Sequence, residues 1–126
     1  MKKVIILIGI ILILVIGIIV LNKNSYGLSG YAVKSSVIEE AYLFANEHPD
    51  ALEGVNCYCG CMQHLHNGRI HKRGLHDSFM KEEGSYEEHA SNCDMCINDA
   101  LEVKKMYEKN ITKEEIKKYI DQKYRK

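Results

Sequence analysis

The sequence predicts a mainly α protein: an N-terminal transmembrane helix, then a small three-helix domain built around an irregular Cys/His-rich loop. Three observations predict it. Residues 4–21 form one uninterrupted apolar run, three later stretches carry apolar side chains at helical spacing, and residues 50–84 hold five glycines and few apolar runs. The predicted layout is an anchor over residues 1–21, a flexible linker over 22–34 and a domain over 35–126.

The run from Val4 to Leu21 contains no charge, no proline and no polar side chain. Eighteen residues in helical conformation extend about 27 Å, close to the hydrocarbon thickness of a bilayer. A helix of a soluble core keeps a polar face, and this run has none. A cleaved secretory signal has a shorter apolar region with a small-residue site directly behind it. Here Asn22-Lys23-Asn24 follows, and Gly30-Tyr31-Ala32 lies well downstream. No cysteine closes the run, so a lipoprotein processing site is missing too. The run therefore predicts an uncleaved single-pass anchor whose partner is the lipid bilayer. Lys2 and Lys3 precede it and only Lys23 follows closely, which keeps the N-terminus cytoplasmic and places the rest of the chain outside. That compartment is oxidising in many organisms.

The formal net charge is zero but unevenly spread. Residues 22–103 carry 6 basic and 13 acidic side chains, a net of −7, and residues 104–126 carry 9 basic and 4 acidic, a net of +5. The acidic part holds every cysteine, and its field favours a cation over nucleic acid. The basic tail reads as a solvated helix face.

A first helix is predicted from Ser36, where Ser36 and Glu39 match a capping box. It ends before His48, because Pro49 disfavours helical geometry in the residue ahead of it. Val37, Ile38, Ala41, Tyr42 and Ala45 form its apolar face. Residues 89–107 predict a second helix, with His89, Cys93, Cys96, Ala100, Val103 and Tyr107 on one stripe. Asn110 stops it. Thr112 caps a third helix, with Glu115 three residues on and Ile111 and Ile116 as a staple. Ile116, Tyr119, Ile120 and Tyr124 form its buried side.

The chemistry lies in Cys57-Tyr58-Cys59-Gly60-Cys61 and Cys93-Asp94-Met95-Cys96. In a straight strand, the first three thiols lie on one face, about 6.6 Å apart along the chain. That spacing is too wide for one tetrahedral zinc, whose Zn–S bonds are about 2.3 Å. Either Gly60 lets the backbone curl, or the sulfurs serve more than one ion, or a helical turn points Cys59 elsewhere. On the predicted second helix His89, Cys93 and Cys96 stack at i, i+4 and i+7, and a helix N-terminus lowers a thiol pKa. Cys93 and Cys96 are the best-supported ligand pair. Disulfides are the rival. Five is odd, and pairing within the first run is strained, so such a scheme leaves at least one thiol over.

His64 lies three residues beyond Cys61, next to His66, near enough to join the site. His48, His71 and His76 read as solvated loop positions. Met62, Met80 and Met95 are soft enough for copper(I), although methionine is more often packing filler. The candidate ligands are Cys57, Cys59, Cys61, Cys93, Cys96, His89 and His64.

The Cys-Tyr-Cys-Gly-Cys run, followed by a His-rich stretch and His89-x-x-x-Cys93-x-x-Cys96, resembles the PCYCGC-motif family. The resemblance covers roughly Ser35 to Tyr124. It implies an extracytoplasmic protein, commonly a lipoprotein, with no settled activity. Asn56 stands where the name-giving proline would be. Ser78 occupies a position where relatives tend to have another cysteine, and here the transmembrane anchor replaces the lipid.

These features predict a membrane-anchored, extracytoplasmic soft-metal-binding protein that captures or relays copper(I), with zinc next. A metal-donor or metal-acceptor protein would be its partner. One alternative is a thiol–disulfide oxidoreductase using Cys93 and Cys96, although the βαβ context that accompanies such motifs is absent. The other is an interaction module stapled by structural zinc or disulfides, which would order residues 50–84. The sequence holds no paired nucleophile and base and no phosphate-binding glycine loop, so hydrolytic chemistry is not indicated.

Overall fold

The computed structural model describes residues 2–22, 27–65 and 68–125, with side chains in the first helix described over 8–18. Five α-helices make up the described chain: α1 (Lys2–Asn22), α2 (Ser36–Glu47), α3 (Pro49–Leu52), α4 (Asp94–Tyr107) and α5 (Lys113–Tyr124). Short 3-10 turns occupy Gly30–Val33, Leu75–Ser78 and His89–Asn92. Among the described residues there is no strand, only the isolated bridges Glu53–Gly74 and Met80–Tyr86. The fold is mainly helical, as the periodicity predicts.

In α1 the apolar side chains face outward, Ile13 being 71% exposed. The predicted span over 4–21 extends beyond the side chains described, and among the described residues no helix is long and apolar enough to cross a membrane. Of the predicted linker, residues 23–26 lie outside the described residues. Its C-terminal part is not a free tether. Gly30–Val33 forms a 3-10 turn that buries Ala32, and Tyr31 donates a hydrogen bond to the Tyr86 carbonyl at 2.9 Å. An aromatic and two aliphatic side chains among the polar residues are enough to dock it.

Helix α2 starts where expected, but its cap is Ser35. The Ser35 hydroxyl accepts from the Ile38 N–H at 3.3 Å, and Ser35 has the extended backbone an N-cap requires. The Ser36–Glu39 box does not form, because adjacent serines compete for one position. Pro49 does more than stop α2. With no N–H to satisfy, it opens α3 as that helix's first residue. Ala41, Tyr42, Phe44 and Ala45 are buried and α2 packs on α4, whereas Val37, expected on the apolar face, is exposed.

Tyr42 ties α2 to the segment leading into the cysteine cluster. Its hydroxyl donates to the Glu87 carbonyl at 2.6 Å and accepts from the Ser91 N–H at 3.1 Å. Its ring meets Phe79 edge-on at 5.1 Å. Burial pushes this phenol far above its ordinary range. Tyr42→Phe is expected to cost about 1–3 kcal/mol, since it strands a buried carbonyl and an N–H together. Thermal unfolding of the two chains side by side checks this. The unfolded chain releases the Tyr42 proton near pH 10 and the folded chain does not, so stability falls as pH rises above 10. The Phe variant loses that part of the alkaline decline.

The predicted second helix is broken. Cys93 has φ −132° and ψ 97° and acts as the N-cap of α4, while His89–Asn92 is a separate 3-10 turn. The Cys93 N–H closes that turn on the Ala90 carbonyl, and its own carbonyl accepts the first bond of α4 from Ile97. Cys96, Ala100 and Val103 are buried as expected; Tyr107 is exposed. Asn110 ends the region with φ 57°, the left-handed geometry anticipated. Thr112 and Glu115 form the full capping box of α5. Ile116 and Ile120 are buried and Tyr124 half-buried, but Tyr119 faces solvent. Buried Asp99 of α4 holds α5 through Lys123 Nζ at 2.9 Å and the Tyr124 hydroxyl at 2.9 Å.

Residues 50–84 are irregular, as predicted, yet not starved of core. Val55, Leu75 and the pair Phe79-Met80 enter it at scattered positions, which a search for longer apolar runs overlooks. The Gly54 N–H donates to the Arg73 carbonyl and the Leu75 N–H to the Val55 carbonyl, at 2.9 and 2.8 Å. Arg73 then fixes the Leu75–Ser78 turn through Asp77 at 2.6 Å.

Candidate metal centre

Gly60 settles the geometry of the first cysteine run. At φ 94° it takes a backbone that L side chains rarely adopt, and the chain curls. The curl replaces the straight-strand spacing with sulfur contacts: Cys57 to Cys59 is 3.1 Å and Cys59 to Cys61 is 3.0 Å. The N-terminal end of α4 brings the second pair against them. Cys96 Sγ lies 3.5 Å from Cys57 Sγ and 3.2 Å from Cys93 Sγ. His89 Nε2 is 3.4 Å from Cys59 Sγ. All five cysteines are free thiols, with Cys57, Cys61 and Cys96 buried and Cys59 and Cys93 partly exposed.

Three overlapping groups have ligand atoms close enough to hold an ion, all within 4.8 Å of one another. They are Cys59, His89, Cys93 and Cys96; then Cys57, Cys59 and Cys61; then Cys61, His71 and His89. A tetrahedral zinc with bonds of about 2.3 Å separates its sulfurs by about 3.8 Å. The observed contacts therefore need to open by less than about 1 Å to accept a metal.

The six predicted ligands Cys57, Cys59, Cys61, Cys93, Cys96 and His89 converge. His64 does not: it is exposed and belongs to none of the three groups. His66 lies outside the described residues. His71, read from sequence as a solvated loop residue, is 2% exposed and stands within ligand distance of Cys61 and His89. Its N–H donates to the Cys61 carbonyl at 3.2 Å, which places it by a contact across the loop that no local spacing announces. His76 is buried too, outside the groups.

Ser78 is the other residue that spacing misses. It is fully buried, with Oγ 3.2 Å from His71 Nδ1, 3.5 Å from Cys96 Sγ and 3.9 Å from Cys57 Sγ. A hydroxyl there orients the His71 ring as hydrogen-bonded partners orient ligating imidazoles. Met62 sits at the edge, its sulfur accepting from the Cys57 N–H at 3.1 Å. Outside the cluster, Asn56 and Tyr58 both donate to Asp121 Oδ1, and the Tyr58 ring stacks on Tyr124 at 4.7 Å. The loop is thereby pinned to α5.

The crowding decides where charge resides. Contacts from Cys57, Cys61 and Cys96 hold the Cys59 thiol far below its ordinary range. Cys57 is also lowered: its contact with Cys59 pushes up, while those with Cys61 and Cys96 push down and prevail. Cys61 and Cys96 are driven far up by their neighbouring thiols, Cys57 first, and by burial. Cys93 is raised, mainly by burial, so the lowering expected of a helix N-terminus is overridden. The Cys59 contact raises His89, and burial lowers His71. The crowding therefore favours negative charge at Cys59, which faces His89, over Cys61 and Cys96.

A family model described as a protein of unknown function with PCYCGC motif matches residues 29–126. The chain belongs to the PCYCGC-motif family. The PCYCGC match begins at the docked Gly30–Val33 turn and takes in the whole cluster. No curated protein and no solved structure gives a significant match to the chain. Asn56, which stands where the PCYCGC motif has its proline, is used to bind α5, and Ser78 lies inside the cluster.

Proposed function

We propose that the protein is a membrane-anchored, extracytoplasmic soft-metal-binding protein that captures or relays copper(I), with zinc as the next candidate. The observation that carries this reading is the convergence of five sulfurs and two imidazoles into overlapping ligand groups. Crowded thiolates with imidazole and a thioether at the edge suit a soft monovalent ion. The net −7 over residues 22–103 draws cations toward it. The outward-facing isoleucines of α1, with Lys2 and Lys3 ahead of them, support the anchor and its orientation. A metal-donor or metal-acceptor protein would complete the relay.

The test is metal retention. The full chain, reduced and kept free of oxygen in detergent, is loaded with copper(I) or zinc and passed through a competing chelator. Copper(I) is expected to stay bound and to displace zinc. Retention of neither ion overturns the reading. The 3.2 Å contact between Cys93 and Cys96 favours a second one, in which these two thiols cycle through a disulfide. A reversible Cys93–Cys96 couple in a chain that retains no metal would establish that alternative. For the anchor, protease added to right-side-out vesicles is expected to remove the domain. Release of the intact chain by alkaline washing would contradict membrane insertion.

Ser78→Ala leaves the five sulfurs in place but removes the hydroxyl at His71 Nδ1. Copper(I) affinity is expected to fall about 10–100-fold, the usual cost of losing a ligand's orienting partner. Competition against a chromophoric copper(I) chelator measures it.

A further inference from the structure

We propose that the centre is a polynuclear copper(I)–thiolate cluster, holding more than one ion, with Cys59 as a bridging sulfur and His71 as a ligand. The inference deepens the soft-metal reading above and rests on it.

The donors outnumber what one ion can use. The three groups contain seven different residues, and a tetrahedral ion takes four. The four-donor group of Cys59, His89, Cys93 and Cys96 leaves Cys57, Cys61 and His71 outside it. Those three are among the most buried polar or sulfur-bearing side chains in the protein, at 2%, 0% and 2% exposure. Each belongs to another group, and the groups interlock. Cys59 is shared by the first and second, Cys61 by the second and third, and His89 by the first and third. A thiolate sulfur has lone pairs enough to bridge two copper(I) ions, whereas an imidazole nitrogen has one. Cys59, in contact with Cys57, Cys61 and His89, is therefore the natural bridge between the four-donor group and the curled run.

Charge points the same way. Arg69 and Arg73 are engaged elsewhere, Arg69 with Glu87 at 3.2 Å and Arg73 with Asp77 at 2.6 Å. Four thiolates around one copper(I) would leave an uncompensated negative charge in a buried site, which is costly. Once the first ions have displaced the thiol protons, each further copper(I) that shares those thiolates removes one unit of that charge. His71 supplies a neutral donor where another thiolate would add charge.

The experiment titrates copper(I) into the reduced full chain in detergent without oxygen, then records X-ray absorption on the loaded protein. More than one ion per chain, with copper–copper scattering, is the expected result. One ion per chain without such scattering overturns this inference and leaves the soft-metal reading standing; no bound ion overturns both. His71→Gln is expected to lower the number of ions held, with circular dichroism of the variant reporting its fold. A folded variant with the parent's stoichiometry and spectrum would remove His71 from the cluster. The nuclearity is decided on the unaltered chain, whatever that variant does.

Discussion

Cys59→Ser is expected to weaken copper(I) binding by about a hundredfold or more, and by more than Cys93→Ser does. Disturbing only the partner of a ligand costs about 10–100-fold, so loss of a ligand begins at the upper end of that range. Cys59 belongs to two of the three ligand groups and Cys93 to one. Cys57, Cys61 and Cys96 also hold the Cys59 thiol below its ordinary range. A serine hydroxyl does not ionise at neutral pH and is a hard donor, so it replaces neither the charge nor the softness. Cys59 is partly exposed, and the substitution is nearly isosteric, so folding should survive. Chelator competition on both variants gives the comparison. Equal losses would show that Cys59 has no central position.

Gly74→Ala carries the largest expected cost to stability, about 3–5 kcal/mol. Gly74 has φ 75° and ψ −140°, a region essentially confined to glycine and worth about 1–3 kcal/mol of strain in other residues. A Cβ there would also stand 2.2 Å from the Val55 carbonyl oxygen. That oxygen cannot retreat, because it accepts the Leu75 N–H at 2.8 Å, the bond that aligns the two arms of the loop. Relief requires moving the Leu75–Ser78 turn, and with it Ser78 and the His71 ring. The variant should therefore lose metal affinity along with thermal stability. Gly84→Ala is the control. It shares a positive φ of 85°, but a Cβ there meets nothing within 4 Å, so only backbone strain of about 1–2 kcal/mol is expected. Comparable melting of the two variants would contradict the role given to the Val55 contact.

What the sequence discloses and what it hides follow from range. Thr112–Glu115 capping, the Asn110 stop and the Cys96–Ala100–Val103 stripe depend on residues within one or two turns, and all three are present. The Cys93 break escapes because a 3-10 turn followed by an α-helix preserves nearly the same residue spacing as one continuous helix. His71 and Ser78 escape for a different reason. Their burial goes with the Glu53–Gly74 pairing and with Cys61 and Cys57, contacts between residues 10 to 21 apart that carry no periodic signature. His64 attracts attention by proximity to Cys61, yet the curl at Gly60 leaves it on the exposed side. The curl is one of three alternatives that the spacing leaves open, and it is seen with the left-handed backbone of Gly60 and the contact of Cys57 with Cys96.

In the proposed function the metal is held by the cysteine cluster with its two histidines and not by exposed His64. X-ray absorption at the copper edge of the loaded, reduced full chain tests this most directly, through the identity of the atoms bound to the ion. A coordination shell dominated by sulfur with a smaller imidazole contribution is expected. A shell of nitrogen and oxygen alone, in a chain whose five thiols remain reduced, would contradict it.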